Sequence, residues 1–568
     1  MNTFLFPRIY LSCFIFAIAS HADMLEDASR EADKIIRLQQ QQLEQQHKDE
    51  LANHPKTVIP TQIIEPKEKN VSATCRIIKQ IQIENASLMD QKFKYTLIHK
   101  YQEKCMNIDD IEHLISDIVN YYISNGYISV RAYIQPQDLA NGILKIVVVE
   151  GVVENIHIKN APFYEYENLN ISTAFPFIVG KPLNIRDIEQ GLDQINRLQS
   201  NNATMSILPG TNSGESQVQI INNPALRLHF NASADNYGST STGEEQASFS
   251  LSLDNPLKLN DYLSYSHTRT INTDFIAQHS MMNAVSYSVP LGYSTLSFSH
   301  SRSNYATTIH AAGGDILSEG TTQNSSFSID HVVYRNSTDR LSVSSSLSAK
   351  MNRNFIDKQY LEVSSRKLST INLGSAWNTI FLGGSLSMNL EHIWGLKWFD
   401  ALEDPSYLPK TAPHAQFRKW TYGINWMKPF ELLEQNMVYS TALSGQQGDD
   451  VLYGSEQFSL GGLYSVRGYR NSSIAGDTGF YVRNDLSMPK TLSFKSQNFR
   501  IKPSMAFDFG EIKDRYDTKG GFVSGMSMGL NLGFSALTLD IALSKPLSMP
   551  KTMRDEGLLL FAKLNINL

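Results

Sequence analysis

The sequence predicts a mixed architecture: two small α/β units in tandem, then a transmembrane antiparallel β-barrel of about 16 strands, with a polar helix ahead of them. Three observations lead there. A β-α-α-β-β order of elements occurs twice between residues 71 and 223, a repeat of about 75 residues. After Pro224 apolar residues alternate with small polar ones, with a period of two, over about 340 residues. Beyond residues 1–22 no stretch approaches the ~18–20 continuous apolar residues of a transmembrane helix. A membrane protein without such helices must be a closed barrel, because every backbone polar group in lipid needs a partner.

Residues 1–22 read as a signal peptide. Arg8 is the positive n-region, Leu11 to Ala19 the apolar h-region, and Ser20-His21-Ala22 the small-x-small cleavage site. The formal charge of −6 becomes −7 once Arg8 leaves with the leader (−6 minus one cation). No basic excess then remains to attract nucleic acid. Residues 23–51 are rich in Gln, Glu and Lys, without Pro or Gly, and predict a helix with a thin apolar stripe at Leu25, Ala28, Ala32, Ile35 and Leu38. A helix so polar belongs in water or in a polar cavity. Residues 52–70, with Pro55, Pro60 and Pro66, read as an extended linker.

The first α/β unit covers 71–151. It predicts a strand from Arg76 to Ile83 and a helix from Gln91 to Tyr101. A second helix follows, capped by Asn107, with an apolar face at Ile111, Leu114, Ile115, Ile118, Val119 and Tyr122. Asn125-Gly126 ends that helix, and strands follow at Tyr127 to Ile134 and Ile143 to Glu150. The second unit, 152–223, repeats the plan. It has a strand at Val153 to Lys159 and a short helix near Leu169 to Phe175. Asn184 then caps a helix with Ile185, Ile188, Leu192, Ile195 and Leu198 on one face, and strands lie near Ala203 to Leu208 and Ser216 to Asn222.

The remaining residues, 224–568, carry the barrel pattern. Leu228, Phe230, Ala232 and Ala234 alternate with His229, Asn231 and Ser233, and Leu537, Leu539, Ile541 and Leu543 alternate with Thr538, Asp540 and Ala542. A soluble sandwich would need a shared apolar core, whereas here the second face is Ser, Asn, Thr or charge. Apolar outside and polar inside is the pattern of a membrane barrel. Tyr262, Tyr287, Tyr293, Trp394, Trp398 and Trp426 near strand ends suit interfacial girdles.

Cys13 lies in the leader, leaving Cys75 and Cys105 as a disulfide candidate, the alternative being two free buried thiols. No second Cys or His pair stands at zinc-ligand spacing near them, and His229, His300, His331 and His392 show no such spacing either. Neither metal nor cofactor is expected. The P-loop pattern is absent. Gly525-Met526-Ser527-Met528-Gly529 matches a nucleophile-elbow pattern by letter but lies in period-two barrel sequence, so an enzyme is not expected.

Four stretches carry a family resemblance. In the first unit they are Gly126-Tyr127-Ile128 through Gln137-Asp138-Leu139, Gly142 and Glu150-Gly151; in the second, Gly180-Lys181-Pro182-Leu183-Asn184-Ile185 through Glu189-Gln190-Gly191-Leu192. In the barrel they are Glu456 through Gly461-Gly462, Val466-Arg467-Gly468-Tyr469 and Gly476-Asp477-Thr478-Gly479, and the stretch Ala506-Phe507-Asp508-Phe509-Gly510. Together they resemble the TpsB transporters of two-partner secretion, in the superfamily of the barrel that assembles outer-membrane proteins. The α/β units resemble POTRA domains. Val466-Arg467-Gly468-Tyr469 resembles the VRGY motif of that superfamily's inward-folded loop. The resemblance implies a pairing of Arg467 with Asp508, in a wall motif ending at Gly510 in which Ala506 replaces the usual Phe or Gly. Carboxylate offers a guanidinium two oxygens, and Gly461, Gly462 and Gly468 permit close packing of the loop.

The resemblance also implies an outer-membrane location with periplasmic POTRA domains, and export of one large TpsA-like exoprotein such as a haemolysin, adhesin or contact-dependent toxin. That partner would be bound unfolded on exposed sheet edges of the POTRA domains. Outer-membrane lipid and, during biogenesis, the outer-membrane assembly machinery are the other partners implied. Residues 23–51 resemble the family's plug helix, and the last strand resembles the assembly signal, with Leu568 in place of the usual Phe. An assembly factor of the same superfamily and a solute porin are the competing readings.

Overall fold

The computed structural model describes residues 28–45, 57–59, 63, 75–159, 169–271, 276–311, 314–494, 497–513, 516 and 520–568. The expected leader and most of the 52–70 linker lie outside the described residues.

Helix α1 spans 28–45. Its Ala, Gln, Leu, Glu and Lys residues are strong helix formers. In the first α/β unit the elements are β1 (Arg76–Ile78), β2 (Gln80–Glu84), α2 (Gln91–Tyr101), β3 (Lys104–Met106), α3 (Ile108–Ser124), β4 (Arg131–Tyr133) and β5 (Ile143–Val149). Asn107 caps α3 reciprocally: its side chain accepts from the Asp110 N–H at 2.8 Å, and Asp110 accepts from the Asn107 N–H at 3.1 Å. Leu114, Ile118 and Tyr122 of α3 pack on Ile81, Ile83, Leu144, Ile146 and Val148 of the sheet, burying the stripe that the periodicity marks.

Two expectations need correction here. The single strand expected at 76–83 breaks at Lys79, because the Lys79 and Gln80 N–H groups both donate to Gly142 O (2.8 and 3.1 Å). β1 leaves the main sheet and pairs with β3, a strand the periodicity did not reveal. The strand expected at 127–134 shortens to β4, because the Tyr127 N–H is bonded to Tyr122 O at the end of α3 (2.9 Å). Cys75 and Cys105 are disulfide-bonded, with a Cα–Cα distance of 5.3 Å, across a separation of 30 residues. Closing a loop of that size stabilises by about 3–4 kcal/mol on a chain-entropy argument.

The second unit contains β6 (Val152–Lys159), α4 (Ile171–Ala174), α5 (Ile185–Asn196), β7 (Ala203–Pro209) and β8 (Glu215–Asn222). Its sheet order β6-β8-β7 matches β2-β5-β4 of the first, each with one parallel and one antiparallel pairing. The repeat read from the sequence is therefore a repeat of topology.

The barrel has sixteen long antiparallel strands, from Leu228–Asp235 to Leu559–Asn567. The segment Lys490–Phe494 continues the strand Thr478–Ser487 beyond Met488-Pro489. The first and last strands close the sheet through five residue pairs, and Phe230 and Leu568 exchange backbone hydrogen bonds of 3.0 and 2.8 Å. The outward row is apolar and exposed: Leu228, Phe249, Leu251, Phe298, Phe327, Leu373, Phe507, Leu543, Leu560 and Leu564. The inward row is polar, with Ser264, Thr268, Thr322, Lys350, Asn352, Ser527 and Ser544 buried. His392 lies between Trp394 and Trp420, each ring centroid 4.0 Å away, and so joins an aromatic girdle. One end of the barrel has short turns, and the second α/β unit is attached there.

Helix α1 runs through the lumen. Gln39 donates to Ser280 Oγ (3.0 Å), Gln42 to Gln246 Oε1 (3.3 Å), and Asp33 lies 3.7 Å from Arg366. Ala32 and Ile35 pack on Tyr305. These partners stand on the inner faces of four different wall strands.

Candidate functional site: the inward-folded loop

Residues 449–477 join the strands Gln435–Gly448 and Thr478–Ser487 and fold back into the lumen. A short antiparallel pair, Phe458–Leu460 with Ile474–Gly476, stiffens the stem of this loop. Leu460, Val466, Tyr469 and Ile474 pack on Ile512, Val523 and Met553, forming a small apolar core inside a polar barrel.

Arg467 stands at the tip. Its Nε donates to Asp508 Oδ2 at 2.6 Å and its Nη2 to Asp508 Oδ1 at 2.7 Å. The Arg467 N–H reaches Asp508 Oδ2 at 3.0 Å. The same guanidinium also grips Asp485 through both oxygens, at 2.6 and 3.1 Å. Asp508 is fully buried, while Asp485 is a third exposed. Arg483 lies directly across from Asp508 in the strand register, and Ala506 lies across from Asp485. Two carboxylates on one guanidinium use its planar fork from two sides, which an ammonium could not do.

The glycines explain how the loop fits. Gly461, Gly462 and Gly468 have φ of +102°, +126° and +111°, which side chains disfavour. A Cβ at Gly510 would stand 2.4 Å from Phe480 O and 2.9 Å from Leu460 Cδ1. Gly525, which the sequence showed only as part of a misleading serine pattern, has the tightest fit: a Cβ there would lie 1.8 Å from Arg467 O. Gly525→Val is therefore expected to expel the loop tip and reduce export at least about tenfold, a cost of at least ~1.4 kcal/mol. Gly529→Ala on the same strand should be mild. Protease cleavage at 461–473 in intact cells would report the expulsion, and a protected loop in Gly525→Val would contradict it.

Further anchors surround the clamp. Glu456 lies between Lys350 (2.9 Å) and Lys419 (3.1 Å) of the wall. Tyr469 Oη donates to Ser524 O or Ser548 O, at 3.0 and 2.8 Å. Glu556 accepts the N–H groups of Arg470, Asn471 and Ser472. Arg470 pairs with Glu244 and covers the Phe561 ring at 4.9 Å. Helix α1 reaches the same loop: Arg37 Nη1 donates to Gly454 O at 2.7 Å, and Gln41 to Ser459 O at 3.4 Å. Sequence reasoning missed Asp485, Lys350, Lys419 and Glu556. Period-two parity was the available signal for Asp485, since it shares the inner face with Asp508.

Comparison with known proteins bears on this geometry. The family model described as "Haemolysin secretion/activation protein ShlB/FhaC/HecB" matches residues 214–532. A ShlB-type POTRA domain matches 77–151, and a second POTRA domain model matches 152–209. The chain belongs to the ShlB/FhaC/HecB family. It is 32% identical over 492 residues to the outer membrane transporter CdiB of Dickeya dadantii, covering 85% of each chain. It is 31% identical over 536 residues to the hemolysin transporter protein HpmB of Proteus mirabilis, covering 93% of this chain and 90% of that one. Its fold is similar to CdiB from Escherichia coli, with a TM-score of 0.85 and 29% identity, over 94% of this chain and 98% of that one. The barrel accordingly lies in the outer membrane, with both POTRA domains in the periplasm.

A second ionic node in this family member fastens POTRA 2 to the short periplasmic turns of the barrel. Arg335, 1% exposed, donates to Asp193 Oδ2 (2.6 Å), Gln190 Oε1 (3.1 Å) and Glu189 Oε2 (3.3 Å) of α5. It also donates to Thr57 O in the linker (2.7 Å). The Thr57 and Ile59 N–H groups bond in turn to Asp193 (2.7 Å) and Glu189 (2.8 Å). Tyr293 Oη donates to Asp187 at 2.6 Å, and burial holds that carboxyl above its ordinary value of 3.8. The run Gly180 to Leu192 is thus the seat of the barrel on POTRA 2. Arg335→Ala leaves the buried Asp193 carboxylate without its ion-pair partner, while Glu189 keeps Arg186 at 2.7 Å, so we expect a loss of about 3–5 kcal/mol at this junction. Trypsin cleavage between POTRA 2 and the barrel should accelerate in the folded protein, and an unchanged cleavage rate would contradict the assignment.

Proposed function

We propose that this chain exports one large partner exoprotein across the outer membrane by two-partner (type Vb) secretion. The observation that carries the reading is a lumen filled from within by α1 and the inward loop, both attached mainly by polar and ionic contacts. Such a stopper separates from a wet wall without exposing a large apolar core, since each hydrogen bond exchanged for water costs only ~0.5–1.5 kcal/mol. The relatives named as outer membrane and hemolysin transporters support the same reading.

In this reading the partner arrives unfolded in the periplasm and adds to a POTRA sheet edge. The outer side of β7 is unpaired among the described residues. Backbone pairing there accepts many sequences. Val466, Arg467, Gly468 and Tyr469, with Asp508 and Gly510, act as the loop's clamp, and Gly461 and Gly462 as its hinge. Residues 23–51 supply the plug and 52–70 its tether. Folding of the partner outside drives the transfer, with no catalytic step in the transporter.

The test compares surface and medium proteins of the native host with and without this gene. Loss of one very large protein, other barrels unchanged, is the expected result. Broad loss of outer-membrane barrels would replace this reading with an assembly factor, and no change would leave a solute channel.

A further inference from the structure

The apolar outer surface of the barrel does not end where its strands end. On the periplasmic side the outward row of the strand His279–Leu291 finishes at Leu291, half exposed. Two other turns on the same side of the barrel, after the strands Arg366–Phe381 and Arg418–Leu432, carry Leu382 and Leu433, 68% and 86% exposed, with φ of +50° and +51°. Bulky side chains rarely adopt positive φ. A leucine held there and aimed at water gains nothing, whereas one aimed at acyl chains is removed from water.

POTRA 2 repeats this arrangement off the barrel. Phe177 has φ +60° and is 84% exposed, and Val179 is 58% exposed. Their neighbours Phe175 and Ile178 are buried in the domain core, so the segment is seated rather than loose. It is also fixed to the barrel's turns. The Gly292 N–H donates to Thr173 O (2.7 Å), Thr173 Oγ1 donates to Leu259 O (3.0 Å), and Asn260 Nδ2 donates to Asn170 O (2.6 Å). A Cβ on Gly292 would stand 2.7 Å from Pro176. Phe177 therefore follows a residue packed on Gly292, and Gly292 follows Leu291, the last member of the lipid-facing row. The exposed Lys181 and Lys258 flank this patch, at the place where phospholipid phosphates would meet them.

We propose that Phe177 and Val179 insert into the periplasmic leaflet of the outer membrane and anchor POTRA 2 to phospholipid. Together with the Arg335 node, this contact fixes the domain's tilt beneath the pore.

The test uses the mature full-length protein carrying Phe177→Cys, labelled with the environment-sensitive fluorophore NBD. It is reconstituted in nanodiscs of phosphatidylethanolamine and phosphatidylglycerol, with or without bromine on carbons 6 and 7 of the acyl chains. The label at 177 should lose about half its emission in brominated discs, as an interfacially buried group does. A label on Tyr95→Cys, at an exposed position of α2 in POTRA 1, should lose none. Equal emission from 177 in both kinds of disc would overturn the proposal and leave the pair as a protein-binding surface. If Phe177→Cys does not fold, Val179→Cys carries the same expectation and the same reversal.

Discussion

Arg467→Ala reduces export by more than about tenfold, on the expectation that ~1.4 kcal/mol corresponds to tenfold and removing one side of a buried ion pair costs ~3–5 kcal/mol. The reason is Asp508, fully buried on the inner wall, whose oxygens accept from the Arg467 backbone and from two guanidinium nitrogens. Without that cation the carboxylate keeps the backbone N–H of residue 467 and faces Arg483 across the register, and the loop tip loses its ionic attachment. Arg467→Lys should recover little, because one ammonium cannot serve two carboxylates in a planar fork. Asp485→Asn should be milder, since Asp485 is a third exposed and water replaces part of the contact. Secreted partner in the medium is the readout, and heat-dependent electrophoretic mobility checks that the barrel is folded. Wild-type export from a folded Arg467→Ala protein would remove the clamp from the mechanism.

Deleting residues 28–45 is expected to raise single-channel conductance in planar bilayers several-fold, since an unblocked barrel of about 16 strands leaves an aqueous channel. Helix α1 touches the inner faces of four wall strands and two points of the inward loop. Three of those contacts are neutral side-chain hydrogen bonds and the apolar contact is a small one, so the helix leaves the lumen at modest cost. The Arg37 bond to Gly454 O ties helix and loop together, and Arg37→Ala should give a smaller rise of the same sign. Unchanged conductance after the deletion would mean that the loop alone closes the pore.

Individual residues show why some of this was legible in the sequence. The α3 and α5 stripes are helical faces buried against one sheet each, so local period and packing agree. The break at Lys79 was invisible because its cause, Gly142 O, lies sixty-three residues away (142 − 79). Asp508 stood in a recognisable motif, whereas Asp485 stood in an ordinary alternating strand. Gly525 carried the opposite signal, a serine pattern whose glycine serves the loop's passage.

By itself the sequence determined the architecture: two repeated α/β units, a barrel of about 16 strands, a polar helix, and the family to which the loop motif points. These follow from local periodicity and short motifs, which one segment can express alone. Only the tertiary structure decided that α1 lies in the lumen, that Arg467 holds two carboxylates, that Arg335 joins linker, POTRA 2 and barrel, and that the exposed Phe177 is held beside the barrel's turns. Each of these is a contact between residues distant in the chain. Closing the barrel is what brings them within a few ångströms, and no local pattern encodes which inward residues will then meet.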